Sequence, residues 1–273
     1  MNSVFRFIRT VIHASIFVLL TVVPGFCQQP ATGAGTKPAK KNLAVLLVTG
    51  GCCHDYDFQS KAMQLAAQEK GIPIDWTIIN QGGKGTKAMI ELYKNPKWSE
   101  GFDVVVHNEC FADTADEVYI RSITKPHFDG VNAVVIHCAM HTYRSAKIDD
   151  WREFLGVTSR RHDHQSRYPV SVVNADHPIM KGFPANYTSA MDELYIIEKV
   201  WPNTTVLATS KSEKGSGEKD SGEKDSGEHA VFWTNQYGKA RVFGTTYGHS
   251  KDTFSDKVFL ATVINGIVWA GGR

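Results

Sequence analysis

Four short runs of aliphatic and β-branched residues most constrain what this chain can fold into: LAVLLVTG (43–50), IPIDWTIIN (72–80), FDVVVHNEC (102–110) and NAVVIHCAM (132–140). Each is too short for a helix and reads as a strand, and the first, rich in β-branched residues and closed by Gly50 and Gly51, reads as a buried parallel strand. Between them lie stretches of helical spacing. DFQSKAMQLAAQEKG places Phe58, Met63, Leu65 and Ala66 inward and ends at Gly71. GTKAMIELYKNP predicts a short helix stopped before Pro96. TADEVYIRSITKPHFDG predicts a longer one, with Thr114 as N-cap and Glu117 three residues on. This alternation predicts an α/β fold: an open, mostly parallel sheet with helices on both faces.

The second half changes character. DDWREFLGV reads as a short helix, YPVSVVN (168–174) and TTVLATSK (204–211) as strands, and the histidine-rich segment 158–168 as a loop. HAVFWTNQYGKARVFGTTYG (229–248) predicts a hairpin about Tyr237–Gly238–Lys239. FSDKVFLATVINGIVWAGG predicts a closing amphipathic helix with Phe259, Val263, Ile267 and Trp269 inward. Residues 212–228 repeat GEKDS without one apolar side chain and read as a solvated loop insert.

The amino terminus follows other rules. Arg6 and Arg9 precede an apolar run over 11–23 that Pro24 and Gly25 break. That is the pattern of a secretory signal peptide, here residues 1–27, followed by a flexible linker over 28–41 and one α/β domain over 42–273. An uncleaved membrane anchor is the alternative, although the run is short against the roughly 20 residues of a span. Export is therefore expected, periplasmic or extracellular, with no stable membrane span after cleavage. A net charge of +2, with lysine and arginine scattered rather than striped, gives no surface for nucleic acid. Cys52, Cys53, Cys110 and Cys138 follow neither a CxxC pattern nor a disulfide framework. Mostly buried thiols are expected, with room for one bridge.

In open α/β sheets, ligands bind beyond the carboxyl ends of the strands. His54 follows the first run, His107 sits in the third, His137 and His141 close the fourth, and His249 ends the last hairpin strand in TTYGHS. Five of the eleven histidines thus fall near one end of four strands. Imidazole there serves as an acid or base near neutral pH, or as a ligand for a divalent metal such as zinc or manganese. His54, His137 and His249 are the candidate metal ligands. His162, Asp163 and His164 are possible additions. MDELY (191–195) offers Asp192 and Glu193, with His137 and His249, as candidate catalytic groups. Tyr195 and Trp233 are candidate platforms for a sugar face, beside His54, His107 and His141 as binding groups. No G-x-G-x-x-G follows Gly50–Gly51, so no nucleotide cofactor is expected.

The ordered series LLVTGGCCHDY, VVIHCAMH, LGVTSRRHDH, VSVVNADHPIMKGF, DELY, VLATS, VFWTNQYGKARVFGTTYGHS and VINGIVWAGG resembles the ThuA-like, or trehalose utilisation, family over about residues 43–271. The resemblance implies a class I glutamine amidotransferase-like, flavodoxin-like fold and a link to trehalose-like glycosides or keto-sugars. Carried over residue by residue, it points to His54, His137, Asp192, Glu193 and His249. The family often has a hydroxyl residue where this chain has Cys138. Three functions stay open: an exported enzyme acting on a sugar or glycoside, a non-catalytic carbohydrate-binding protein, and an amidotransferase-like hydrolase with Cys138 as nucleophile and His249 as base. The bulky Ile136 and Met140 argue against the last, since a nucleophile elbow needs small neighbours.

Overall fold

A computed structural model describes residues 41–212 and 227–273. The export signal, all but the last residue of the linker and most of the GEKDS repeat lie outside the described residues. The first half alternates as its sequence predicts: β1 (Leu43–Gly51), α1 (Tyr56–Glu69), β2 (Ile74–Asn80), β3 (Val104–Cys110), α2 (Glu117–Asp129) and β4 (Asn132–Ile136). Then come α3 (Asp150–Leu155), β5 (Val157–Ser166), β6 (Pro169–Val172), β7 (Tyr187–Thr188), β8 (Asp192–Val200), β9 (Thr204–Lys211), β10 (Glu228–Tyr237), β11 (Ala240–Thr245) and α4 (Lys257–Ala270). Nine strands form one sheet in the order β2-β1-β3-β4-β11-β10-β9-β6-β7, and β5 pairs with β8 in a separate ribbon. The five strands from β2 to β11 run parallel; β10, β9, β6 and β7 add on antiparallel.

Side chains alternate across a strand, so each buried strand feeds two cores. Val45 and Leu47 of β1 join Val104, Val134 and Phe243 under α1 and α4, while Leu46 and Val48 join Val105, Val135, Ile120 and Phe154 under α2 and α3. From α4, Phe259, Val263, Ile264 and Ile267 are fully or almost fully buried, each contributing roughly 1.5–3 kcal/mol relative to exposure. Trp269 is only half-buried, with the Arg241 guanidinium over its ring. Among the described residues no helix is long and apolar enough to cross a membrane.

Several local expectations are corrected. Leu65 is exposed: the inward stripe of α1 runs through Gln59, Met63, Ala66 and Ala67, and a side chain two residues past Met63 lies roughly 200° around the helix. The N-cap of α2 is Asp116, whose carboxylate accepts from the Tyr119 N–H at 2.8 Å. Thr114 instead exchanges two hydrogen bonds with the backbone of Ala88. That clamp, with the Ile90 N–H donating to the Tyr119 hydroxyl, keeps residues 88–90 extended and leaves only one 3₁₀ turn, Glu91–Lys94. Segment 158–168 is mostly strand β5 rather than loop. The four cysteines among the described residues are paired, Cys52 with Cys53 and Cys110 with Cys138.

The fourth strand stops at Ile136, not at residue 140. His137 has φ +46°, which turns the chain out of β4 into a 3₁₀ turn over His137–Met140. The chain leaves β1 as abruptly. Gly51 has φ +96°, and a Cβ there would lie 2.1 Å from the Cys110 carbonyl oxygen. Both the left-handed backbone and the close approach require glycine. Gly51→Ala is expected to destabilise the fold by at least about 2 kcal/mol, read as a lower urea midpoint; an unchanged midpoint would contradict the close approach.

Candidate functional site

The abrupt strand ends set three imidazoles facing one another. His54 follows the β1 turn, His137 is the left-handed residue after β4, and His249 follows β11. Ring centroids are 5.0 Å apart for His54 and His137, 5.2 Å for His54 and His249, and 5.4 Å for His137 and His249. One ligand nitrogen from each lies within 4.8 Å of the others. Gly248 makes this possible: its φ is +139°, and a Cβ would sit 2.9 Å from that of His137.

Backbone carbonyls fix the tautomers. His137 Nδ1 faces the Thr246 carbonyl at 2.6 Å and His54 Nδ1 faces the His249 carbonyl at 3.1 Å. A carbonyl only accepts, so both Nδ1 atoms carry the proton and both Nε2 atoms present a lone pair. The Tyr195 hydroxyl donates to His137 Nε2 at 3.3 Å, whereas His54 Nε2 is buried without a hydrogen-bond partner. Burial lowers the pKa of His54 to about 4 and that of His137 well below the usual imidazole range.

Glu193 supplies the negative charge. Its Oε2 lies 3.3 Å from His249 Nδ1, 3.6 Å from His137 Nε2 and 3.8 Å from His162 Nε2. Burial opposes its ionisation, but the neighbouring His249 and His162 outweigh that and lower its pKa; Glu193 in turn raises that of His249. The Gln165 side-chain amide meets His249 Nε2 at 2.9 Å. With its NH₂ donating there, His249 Nδ1 carries a proton toward Glu193. With the amide turned over, its oxygen accepts from Nε2–H and Nδ1 becomes a lone pair. The pocket between His249 and Glu193 therefore suits either a proton or a divalent cation.

Asp192 has a different role from the one its sequence neighbourhood suggests. It is fully buried and accepts from the N–H groups of Glu193, Gly248 and His249 and from the Thr253 hydroxyl. Burial pushes its pKa up to about 6 despite these donors. It positions Glu193 and His249 rather than facing the cleft. Tyr195 is also buried, stacked on His141 with ring centroids 3.9 Å apart, so it backs His137 rather than offering an open platform. His141 reaches Ser159 Oγ at 3.1 Å and lies behind Tyr195.

Two candidates are not brought to the site. His107 lies inside β3, three residues before its end, and points under α2. Its Nε2 meets His127 Nε2 at 3.0 Å and its Nδ1 meets Glu109 Oε1 at 2.8 Å. His127 Nδ1 faces the Val131 carbonyl at 2.7 Å, so His127 Nε2 accepts from His107 and one proton must lie between His107 and Glu109. Trp233 is fully buried, its indole N–H donating to the Leu155 carbonyl at 2.8 Å, and belongs to the core. Cys138 is one residue past the strained position, which His137 occupies, and its sulfur is bonded to Cys110. It is not placed as a nucleophile. Gln165 was missed, since nothing in a polar run announces which glutamine turns inward.

His54 opens onto a polar cleft of about 630 Å³ lined also by Asp55, Asp57, Asn80, Gly83 and Lys84. Residues 44–270 match the model of the ThuA family, described as trehalose utilisation. The chain belongs to the ThuA family. Its fold is similar to that of a ThuA-like protein from Parabacteroides merdae, with a TM-score of 0.64 at 20% identity over 85% of this chain and 91% of that one. A ThuA-like protein from Bacteroides uniformis is similar too, with a TM-score of 0.60 at 17% identity over 87% of this chain and 95% of that one. No curated protein matches the sequence. At these identities the solved structures bear on the fold of this ThuA-family chain alone.

The buried imidazoles give a pH dependence with a definite sign. Burial lowers His127 and His141 well below the usual range. The unfolded chain takes up protons near pH 6.5 and the folded chain does not, so stability is highest above that pH and falls with acid. Each histidine that stays neutral costs about 2 kcal/mol at pH 5. Asp192, raised to about 6, acts the other way and returns about 1 kcal/mol between pH 7 and 5. The expected net result is a clear drop in urea midpoint from pH 7 to pH 5; a flat profile would contradict it.

Proposed function

We propose that this ThuA-family chain is an exported enzyme acting on a sugar or glycoside, of the trehalose-like or keto-sugar kind, with a divalent zinc or manganese ion at His54, His137 and His249. One observation carries the reading. One ring nitrogen each of His54, His137 and His249 lies within 4.8 Å of the others, His54 Nε2 is buried without a partner, and Glu193 Oε2 stands 3.6 Å from His137 Nε2. Acceptors crowded together out of water are costly without a cation or protons between them. The oriented Nδ1–H groups match the outer hydrogen bonds that metal-binding histidines usually make.

The ion, when bound, would polarise a sugar carbonyl or hydroxyl oxygen. The chain's own groups do the rest. Asp57, Asn80 and Lys84 offer donors and acceptors to hydroxyl groups in the cleft that reaches His54. Glu193, whose Oε2 lies 3.3 Å from His249 Nδ1, can pass a proton to or from a substrate oxygen. Tyr195 orients His137, and Asp192 keeps Glu193 and His249 at their spacing. Export is supported by the basic start and apolar run at residues 6–23.

Elemental analysis of the full chain beside His137→Ala and His249→Ala, with turnover on a panel of keto-sugars and glycosides, tests the reading. Near-stoichiometric zinc or manganese, lost in both variants, is expected. Glu193→Gln should keep most of the metal and lower kcat by about 100-fold. Neither metal nor turnover in the wild type would defeat the proposal and leave sugar binding without chemistry.

A further inference from the structure

His54 belongs to two clusters. Besides the histidine triad, one of its ring nitrogens lies within 4.8 Å of the sulfurs of Cys110 and Cys138. Those two cysteines close β3 and follow β4, so neighbouring parallel strands bring them together. Both are buried, and with Tyr56 and Cys52 they form a small cluster of their own beside the histidines. Cys52 Sγ lies 3.6 Å from Cys110 Sγ. Cys53, its disulfide partner, is exposed.

We propose that Cys110, Cys138 and His54 form a second, reduction-gated site for a thiophilic divalent cation such as zinc, sharing His54 with the histidine triad. It stands whether or not the triad itself binds metal. While Cys110 and Cys138 are bonded to each other, neither offers a thiolate. Once they are reduced, two thiolates and a His54 ring nitrogen make a soft three-ligand set of the kind zinc prefers. His54 then serves one cluster or the other, so the redox state of the cysteines governs the metal content of the histidine site.

The sulfur arrangement also supplies a route for the electrons. A dithiol reductant attacks exposed Cys53 and frees Cys52 as a thiolate. Cys52 attacks Cys110 across the 3.6 Å gap, and Cys138 leaves as a thiolate. The second reductant thiol releases Cys53, which attacks Cys52 and frees Cys110. The Cys52–Cys53 bond is restored, Cys110 and Cys138 have gained two electrons and two protons, and the reductant has become a disulfide. Metal binding then displaces both thiol protons.

The test uses the full chain, oxidised or reduced anaerobically with a dithiol that is then removed, titrated with cobalt(II) as the only probe. Reduced wild type should gain intense thiolate-to-cobalt charge-transfer absorption at about one cobalt per chain, and the oxidised protein should lack it. Cys110→Ser should abolish the band, while His249→Ala should retain it although the triad is broken. Reduction of the buried pair, followed by trapping of free thiols, should slow at least about tenfold in Cys52→Ser. No band in reduced wild type, or a band that survives Cys110→Ser, would overturn the site. An unchanged rate in Cys52→Ser would overturn the route. Weak cobalt absorption without charge transfer in the oxidised protein reports only on the histidine triad, so the two readings fail separately.

Discussion

The buried carboxylate of Asp192 is the interaction on which the site depends. A carboxylate out of water is costly unless donors surround it. Here three backbone N–H groups and the Thr253 hydroxyl converge on it from both sides. They tie the first residues of β8, in the two-stranded ribbon, to the loop after β11, in the main sheet. The ribbon thereby brings Glu193 to the histidines, and the loop presents His249 at the required distance.

The sheet imposes the second constraint. Parallel strands deliver their carboxyl ends to one edge, but side chains meet there only if the chain turns sharply on leaving each strand. Left-handed backbone provides those turns at Gly51, His137 and Gly248. His137 accepts a conformation that costs a non-glycine residue of order 1–2 kcal/mol, recovered through hydrogen bonds to Thr246 and Tyr195. A strained residue at the end of a central strand, held by its surroundings, fits a functional position better than a packing one.

The parallel half of the fold was legible because the aliphatic runs of β1, β3 and β4 leave little choice but two-faced burial; the edge strand β2, with no buried residue, followed from its place in the alternation. Strand-end logic likewise reached His54, His137 and His249. It failed for His107 because β3 continues to Cys110 and turns that ring into the core. Trp233 misled for a similar reason: β10 is an inner strand with both faces covered, so its aromatic side chain is no sign of an open platform. The β5–β8 ribbon was hidden because its buried positions near the site, Asp163, Asp192 and Glu193 among them, are polar and give hydrophobic periodicity nothing to register. Gln165 follows from that gap, since its place in the site depends on a pairing the sequence does not display. The cysteine spacing gave no indication that strand ends would bring Cys110 and Cys138 together beside His54, with Cys52 against Cys110.

The most direct test of the account is anomalous diffraction at the zinc absorption edge from crystals of the oxidised protein grown with zinc. The account predicts a single strong peak among His54 Nε2, His137 Nε2 and His249, about 2.0–2.1 Å from the imidazole nitrogens, with Glu193 beside it. No peak there, with zinc found only on surface carboxylates, would contradict the claim that these acceptors converge to hold a cation.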